Sequence, residues 1–249
     1  MVHEAANSGY SRNASVYNSG RPTYHPDLAR RVVDRYGSGV VVELGAGTGI
    51  FTRQIVDLGA SVIAIEPVVS MRSALVEAVP EADVRLGAAE DIPMDDNSAD
   101  TIVASQSFHW FNYREALDEI HRVIKPGGHL LTVWNVRDES VDWVASYTKI
   151  VDTYVGDTPR HRNMGWRRAI NSDARFGSID EWRIDNPMTT TVDGVVNRAL
   201  STSFIGALPD SVQAEVADEV RSLVEPLGDK FDYPYISQLQ AWRALADGE

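Results

Sequence analysis

The sequence predicts an α/β fold in which buried parallel strands alternate with helices. Residues 40–44 form an apolar, mostly β-branched run that is typical of a strand covered on both faces. Glycines follow at alternate positions, and an apolar face with helical spacing begins at Ile50. A second apolar run at residues 61–65 leads into another helix-like pattern. Together, these observations indicate a sheet whose carboxyl edge lies beside a glycine-rich loop.

The glycine-rich loop predicts a cofactor site, because glycine lets backbone turn tightly and approach a ligand closely. A dinucleotide fingerprint would place its last glycine one position later, where this chain has Ile50. Glu43 precedes the first glycine by two positions, would repel a pyrophosphate and suits a ligand that carries positive charge. The loop residues assigned to the cofactor are Gly45, Ala46, Gly47, Thr48 and Gly49.

The run from Glu43 to Gly49 resembles motif I of the class I S-adenosylmethionine-dependent methyltransferases. The resemblance implies S-adenosylmethionine as the cofactor, a ligand with a sulfonium and an ammonium group. It also implies a three-layer, Rossmann-like, seven-stranded and mostly parallel sheet with an antiparallel last strand. In that family a substrate lid follows the fifth strand, here predicted at residues 143–178. The alternative is a glycine turn in an unrelated α/β domain.

Residues 1–26 are predicted to cover the cofactor. The segment resembles one that folds over bound S-adenosylmethionine in a small-molecule branch of the family. The resemblance implies that Tyr17 and Arg21 contact the cofactor, with Arg21 facing its methionine carboxylate, and we assign Tyr24 to the acceptor side. In the alternative interpretation these aromatic side chains only pack on the domain.

The second and third strands are predicted to add contacts to the adenosine part of the cofactor. A carboxylate at the end of the second strand, Glu66, is placed to accept hydrogen bonds from both ribose hydroxyls, although the same geometry serves NAD. Pro67 and Met71 follow, and Met71 could equally be a core residue. Related enzymes often have Asp where this chain has Ala88, so we expect Ala89 and Glu90 to recognise the adenine.

The fourth predicted strand, residues 99–106, delivers a second group of site residues to the same edge. Ser105, Gln106 and His109 are assigned to the cofactor, and His109 is also the candidate base, since an ordinary histidine pKa is about 6.5. The run His109-Trp110-Phe111 resembles the branch typified by trans-aconitate methyltransferase. Phe108 and Trp110 are assigned to the acceptor; alternatively, His109 caps a helix and the neighbouring aromatic residues fill the core.

The later chain is predicted to supply the acceptor pocket. Strands are expected at residues 129–134, 179–191 and 231–242, and helices at 113–123, 143–154, 192–200 and 210–227. Residues 160–168 form the one basic cluster in an acidic protein, and Trp166 and Arg168 are assigned to the acceptor. The hypothesis is that an arginine of this cluster binds a substrate carboxylate. The alternative is a solvated helix face paired with local acids.

Composition limits the classes of function. The 249 residues include 36 Asp and Glu against 23 Lys and Arg and no cysteine, and the formal net charge is −13. This balance argues against general binding to nucleic acid or anionic membranes. No apolar leader or membrane-spanning run is evident, so we expect one cytoplasmic domain over residues 1–249.

These observations predict methyl transfer from S-adenosylmethionine to a small molecule, most simply to an oxygen of a carboxylate or hydroxyl. The acceptor is expected to be acidic, and no metal is needed because the sulfonium is already a good leaving group. A non-catalytic S-adenosylmethionine-binding protein is one alternative. An NAD-dependent oxidoreductase is another, although no Tyr-x-x-x-Lys pair follows the fourth strand.

Overall fold

The computed structural model of the chain describes residues 21–246. The strands are β1 (Val40–Leu44), β2 (Ser61–Ile65), β3 (Asp83–Arg85), β4 (Ala99–Ser105), β5 (Ile124–Arg137), β6 (Phe176–Asp185), β7 (Met188–Thr190), β8 (Phe231–Tyr233) and β9 (Tyr235–Ala244). The helices are α1 (Pro26–Tyr36), α2 (Ile50–Val56), α3 (Val69–Ala78), α4 (Tyr113–Val123), α5 (Asp142–Asp152), α6 (Gly165–Ser172), α7 (Val192–Leu200), α8 (Ser203–Gly206) and α9 (Asp210–Val224). Short 3-10 turns occupy Phe108–Trp110, His161–Asn163 and Glu225–Leu227.

The main sheet confirms the predicted fold class. Its seven strands have the order β3-β2-β1-β4-β5-β9-β6, and β9 runs antiparallel to both of its neighbours. The five strands from β3 to β5 are parallel to one another. Helices α1, α2 and α3 cover one face, and α4 and α6 cover the other, which gives the three layers.

Two strands that were predicted as continuous are each interrupted at a proline. The predicted strand over residues 179–191 is β6 and β7, with Pro187 between them, and the predicted strand over 231–242 is β8 and β9, with Pro234 between them. Proline lacks the N–H that a ladder needs, so pairing stops there. The short outer pieces β7 and β8 pair with each other in a separate two-stranded sheet.

The helices after β5 pack in two different places, whereas the prediction placed residues 143–178 in one lid-like insertion. Helix α5 packs with α7 and α9 in a separate apolar cluster, together with Ile205 and the tyrosines of β8 and β9. Helix α6 instead packs against the main sheet through Trp166 and Ile170. The layer beside the sheet therefore comes from two distant stretches of chain, and the second half of the predicted insertion belongs to the core.

The residues just before α1 are hydrogen-bonded to the antiparallel part of the sheet. The amides of Asn135 on β5 and Asn186 after β6 donate to the Thr23 carbonyl at 2.9 and 2.8 Å. Ser237 on β9 accepts the backbone N–H of His25 at 3.1 Å and donates to the Asn135 side-chain oxygen at 2.5 Å. This buried polar network fixes the path of residues 21–25. Tyr17 and the rest of residues 1–20 lie outside the described residues.

Within residues 21–246, no helix combines the length and the apolar character that are needed to cross a bilayer.

Candidate functional site

A cavity opens at the carboxyl edge of the parallel strands, between the loops that follow β1 and β4. Strand β1 lies between β2 and β4, so its loop and the loop after β4 leave the sheet at the point where strand order reverses. The predicted residues that line the cavity are Arg21, Tyr24, Gly45, Ala46, Gly47, Thr48, Glu66, Pro67, Met71, Ala89, Glu90, Ser105, Gln106 and Trp110.

Glu66 connects the two loops that form the floor of the cavity. Its Oε2 accepts the backbone N–H of Gly47 and its Oε1 accepts that of Val68, each at 2.8 Å. Burial raises the pKa of Glu66 from its ordinary value, while the two N–H donors oppose that rise. The carboxylate is therefore oriented by backbone, with its remaining lone pairs available to a ligand.

Glu43 was assigned to the cofactor, but the structure buries it completely beneath the loop, off the cavity wall. Thr52 donates its hydroxyl to the carboxylate at 2.5 Å, and Ser105, which does line the cavity, donates to the other oxygen. Burial raises the pKa of Glu43 to about 7. Glu43 consequently supports Ser105 and helix α2 from below instead of contacting a ligand.

Gly49 also lies off the wall, and the reason is packing. It has a φ of +85°, and a Cβ on it would approach Leu75 Cδ1 to 2.3 Å. Its place in the motif therefore reflects the close approach of α2 to α3. Gly47 differs, because a Cβ there would meet no protein atom within 4 Å.

The loop after β4 places its aromatic residues in two different environments. Trp110 lines the cavity, together with Phe111. Phe108 was assigned to the acceptor but is fully buried in the main core, with its ring 5.1 Å from that of Phe111. A 3-10 turn over Phe108–Trp110 directs these side chains apart, which corrects the assignment of Phe108.

His109, the predicted base and cofactor contact, does not line the cavity. Its ring lies 4.9 Å from Trp110 and 5.5 Å from Trp134, and its buried Nδ1 has no hydrogen-bond partner among the described residues. Burial, with smaller contributions from His161, Arg160 and Arg21, lowers the pKa of His109 to about 3. The side chain is therefore neutral near pH 7 and a weak base.

The basic cluster over residues 160–168 does not line the cavity. Arg160 and Arg162 pair with Asp152 of α5, and Arg167 pairs with Glu181 of β6. Arg168 is exposed and Trp166 is fully buried in the core, so neither reaches the wall. Pairing with local acids, one part of the alternative that we gave for this cluster, holds for three of its arginines, although only Arg167 lies on an α-helix.

A different arginine lines the cavity and was missed in the sequence. Arg198 on α7 contributes to the wall, near Arg21, whose guanidinium donates to the carbonyl of Ser201 at 3.3 Å. Its only sequence signal is that it follows Val195 by three positions, on the buried stripe of its helix. Across the described residues, no three His, Asp or Glu side chains gather as a metal site.

The sequence matches a family model described as a methyltransferase domain over residues 42–132. The uncharacterized methyltransferase Rv3342 of Mycobacterium tuberculosis is 33% identical over 217 residues, which cover 84% of this chain and 82% of the relative. An uncharacterized methyltransferase-like protein of Schizosaccharomyces pombe, C25B8.10, is 31% identical over 222 residues, covering 88% of this chain and 86% of that protein.

Solved structures share the fold at lower identity. A candidate type II methyltransferase from Anaeromyxobacter dehalogenans superposes with a TM-score of 0.65 at 20% identity, covering 90% of this chain and 98% of that one. Geranyl diphosphate C-methyltransferase from Streptomyces coelicolor, solved with S-adenosyl-L-homocysteine, has a TM-score of 0.50 at 14% identity, covering 88% and 77% of the two chains.

Proposed function

Because the chain belongs to the S-adenosylmethionine-dependent methyltransferases, we propose that it transfers a methyl group from this cofactor to a carboxylate oxygen of a small organic acid. Its membership leaves no support for the NAD-dependent oxidoreductase or the non-catalytic binding protein. Our proposal concerns the acceptor, the reacting atom and the residues that hold each ligand.

The cavity wall fits S-adenosylmethionine. Glu66 is oriented at the end of β2 to accept hydrogen bonds from ribose hydroxyls, and the open space at Gly47 lets ligand atoms approach the backbone. We assign the adenine to the wall at Met71, Ala89 and Glu90, and the methionine carboxylate to Arg21. When bound, the cofactor supplies an electrophilic methyl group on a sulfonium.

The titratable side chains of the described wall favour a carboxylate acceptor. They are Arg21, Tyr24, Glu66, Glu90 and Arg198. Both oxygens of Glu66 already accept backbone N–H groups, and Glu90 accepts that of Asn112 at 2.7 Å. We assign the remaining lone pairs of both carboxylates to the cofactor, which leaves neither as the base for an alcohol.

His109 adds to this argument from outside the wall. A general base works best when its pKa lies near the operating pH, and that of His109 is lowered to about 3. A carboxylate is ionised near pH 7 and attacks without losing a proton. The proposal therefore depends mainly on one observation. The described wall has two arginines that can bind a carboxylate and no histidine that could deprotonate an alcohol.

The charge of the wall supports an acidic acceptor. Arg21 and Arg198 are its cations, and arginine recognises carboxylates by paired N–H donors. The run His109-Trp110-Phe111 resembles the trans-aconitate methyltransferase branch, which places small polycarboxylic acids among the first compounds to test. Tyr24 and Trp110 would exclude water and align the attacking oxygen with the methyl carbon, where positioning contributes several kcal/mol.

The test is methyl transfer from isotopically labelled S-adenosylmethionine to mono-, di- and tricarboxylic acids, including trans-aconitate, with matched alcohols and phenols as controls. We expect label in the acids only, in a methyl ester that mild hydroxide hydrolyses. Label in a product that resists mild hydroxide would instead indicate an ether, amine or carbon acceptor and would contradict the proposal.

A further inference from the structure

Behind the acceptor side of the cavity lies a group of polar side chains that contains no acid. We call it the arginine–tyrosine cluster, and its members come from five elements. They are Arg137 at the end of β5, Tyr147 on α5, Arg198 on α7, Tyr233 on β8 and Tyr235 on β9.

Arg137 and the three tyrosines are in direct contact. The Arg137 guanidinium lies 4.7 Å from the centre of the Tyr147 ring. The Tyr147 and Tyr233 rings are 5.6 Å apart, and those of Tyr233 and Tyr235 are 4.5 Å apart. Tyr147 has an exposed fraction of 0%, and Tyr233 and Tyr235 have 3% each. These contacts form one continuous polar patch inside the helical layer.

The hydrogen-bonding capacity of the patch is largely unused. Among the described residues, no well-formed hydrogen bond is present at the three tyrosine hydroxyls or at Arg198 Nε, although the Tyr235 hydroxyl lies close to the Arg198 guanidinium and the Tyr233 hydroxyl close to that of Tyr147. Burial raises the pKa of Tyr147 and Tyr233, so their phenols keep their protons as donors. Buried polar groups in native proteins are nearly always paired, so a set of unpaired donors indicates a missing acceptor.

The positive charge of the cluster is also unbalanced. Within residues 21–246, neither Arg137 nor Arg198 forms an ion pair, and the titratable groups near them are the tyrosines and, for Arg137, also Arg198. The exposed Arg162 differs, because it pairs with both Asp152 and Glu139. Both arginines are half-buried, and two neighbouring guanidiniums without a carboxylate repel each other and destabilise a fold, which makes a purely structural role unfavourable.

Arg198 connects the cluster to the cavity. It lines the wall, and its Nη1 makes a long hydrogen bond of 3.5 Å to Thr202 Oγ1. Arg198 therefore lies on the cavity wall and close to the Tyr235 hydroxyl of the cluster.

We propose that Arg198, positioned by Arg137 and the three tyrosines, binds a carboxylate of the acceptor other than the one that receives the methyl group. The inference rests on the proposed function for the identity of the acceptor and extends it, because it requires an acid with at least two carboxylates. Arg198 contacts the substrate, and the other four members are positioning residues.

The experiment measures binding without turnover. The full chain is saturated with S-adenosylhomocysteine and titrated with tricarballylate by calorimetry, in the wild type and in Arg198→Gln, Arg198→Lys, Tyr235→Phe and the control Arg162→Gln. Arg162 is ion-paired and off the wall. Since a hydrogen bond to a charged group contributes about 1.5–3 kcal/mol, we expect Arg198→Gln to weaken tricarballylate binding by about tenfold or more.

The other variants distinguish how much the charge of Arg198, its planar geometry and the Tyr235 hydroxyl each contribute to tricarballylate binding. Arg198→Lys keeps the charge and should fall between the wild type and Arg198→Gln, since lysine lacks the planar fork. Tyr235→Phe removes one hydroxyl and should weaken binding by a smaller factor, whereas Arg162→Gln should bind like the wild type. The affinity for S-adenosylhomocysteine should change less than twofold in all four, which also shows that each variant is folded; if Arg198→Gln does not fold, Arg198→Lys and Tyr235→Phe decide.

Several outcomes would overturn the inference. They are no tricarballylate binding to the cofactor-loaded wild type, equal affinities in all variants, or loss of S-adenosylhomocysteine binding in folded Arg198→Gln, which would assign Arg198 to the cofactor. Binding of inorganic phosphate in place of tricarballylate would assign the site to phosphorylated acceptors. Tricarballylate binding that depends on Arg198 would support the site even if the labelled-methyl screen fails, so the two proposals fail separately.

Discussion

The carboxylate of Glu66 accepts the backbone N–H of Gly47 at 2.8 Å, although the two residues belong to the loops after different strands. Through its other oxygen, Glu66 also accepts the N–H of Val68. One side chain thus holds the glycine-rich loop after β1 in a fixed position relative to the end of β2, and it does so on the wall of the cavity.

Replacing Glu66 by Gln should weaken S-adenosylhomocysteine binding by about one to two orders of magnitude, because an amide can accept only one of the two N–H groups and presents its own donors to the other. Calorimetry measures the change. Glu81→Gln is the control, since Glu81 is more than half exposed, pairs with Arg53 and is not part of the cavity wall. Wild-type affinity in Glu66→Gln would remove Glu66 from the site.

Alanine substitutions at Gly47 and Gly49 should have different effects. Both glycines have positive φ, which costs an alanine about 1–2 kcal/mol. At Gly49 the new methyl group also overlaps the buried Leu75, so we expect a total loss of about 2–5 kcal/mol in the free energy of unfolding.

Gly47→Ala should lose only the backbone contribution to stability but should bind S-adenosylhomocysteine poorly, since its methyl group enters the cavity. Urea unfolding and calorimetry on both variants separate the effects. Equal losses of stability in the two variants, with equal affinities, would show that the loop has no special relation to a ligand.

The buried carboxyl of Glu43 should make stability depend on pH. Burial raises its pKa from the model-peptide value of 4.5 to about 7 in the folded state. Its contribution is therefore fully present below about pH 4.5 and is lost as the pH rises through about 7. The loss amounts to about 3 kcal/mol at about 1.4 kcal/mol per pKa unit.

A Glu43→Gln variant should remove this dependence. Relative to the wild type, its free energy of unfolding should rise between about pH 4.5 and 7 and then remain constant, since Gln does not titrate. Denaturant unfolding of both proteins from pH 4 to 8.5 measures the difference. A difference that is flat across this range would mean that Glu43 is ionised in the folded protein.

Substitutions of Phe108 and Trp110 should affect different properties, the first mainly stability and the second mainly activity. Phe108→Ala is expected to lower the free energy of unfolding by about 3–5 kcal/mol, because the side chain is fully buried in the core. Trp110→Ala should change stability less and lower kcat/KM for the acceptor by about tenfold or more, since Trp110 lines the cavity. The reverse pattern would contradict the placement of these two rings.

The central part of the fold was predictable because local pattern and tertiary position coincide there. Strands β1, β2 and β4 are apolar runs that any buried parallel sheet requires, and the helix predictions at residues 113–123 and 192–200 match α4 and α7. The wall residues next to those strands follow from the same geometry, since loops after parallel strands meet at one edge.

The errors have two physical causes. Pro187 and Pro234 interrupt the strands that were predicted at residues 179–191 and 231–242. Both prolines are visible in the sequence, but the prediction gave more weight to the alternation of apolar and polar residues on either side of them. The acceptor side was not predictable in the same way. Trp166, Phe108 and Arg198 are residues whose sequence neighbourhood suits either core or cavity, and only the packing of distant helices decides which.

The buried network around Thr23 has a consequence for the order in which the protein assembles. Its donors and acceptors, Asn135, Asn186 and Ser237, come from positions spread over the later half of the chain. Strand β9, which carries Ser237, also inserts between β5 and β6. During synthesis, residues 21–25 therefore leave the ribosome long before their anchor exists. The segment that carries Arg21 and Tyr24 can therefore take its final position only after β9 has been synthesised, and the cavity wall that these residues line is completed late in folding.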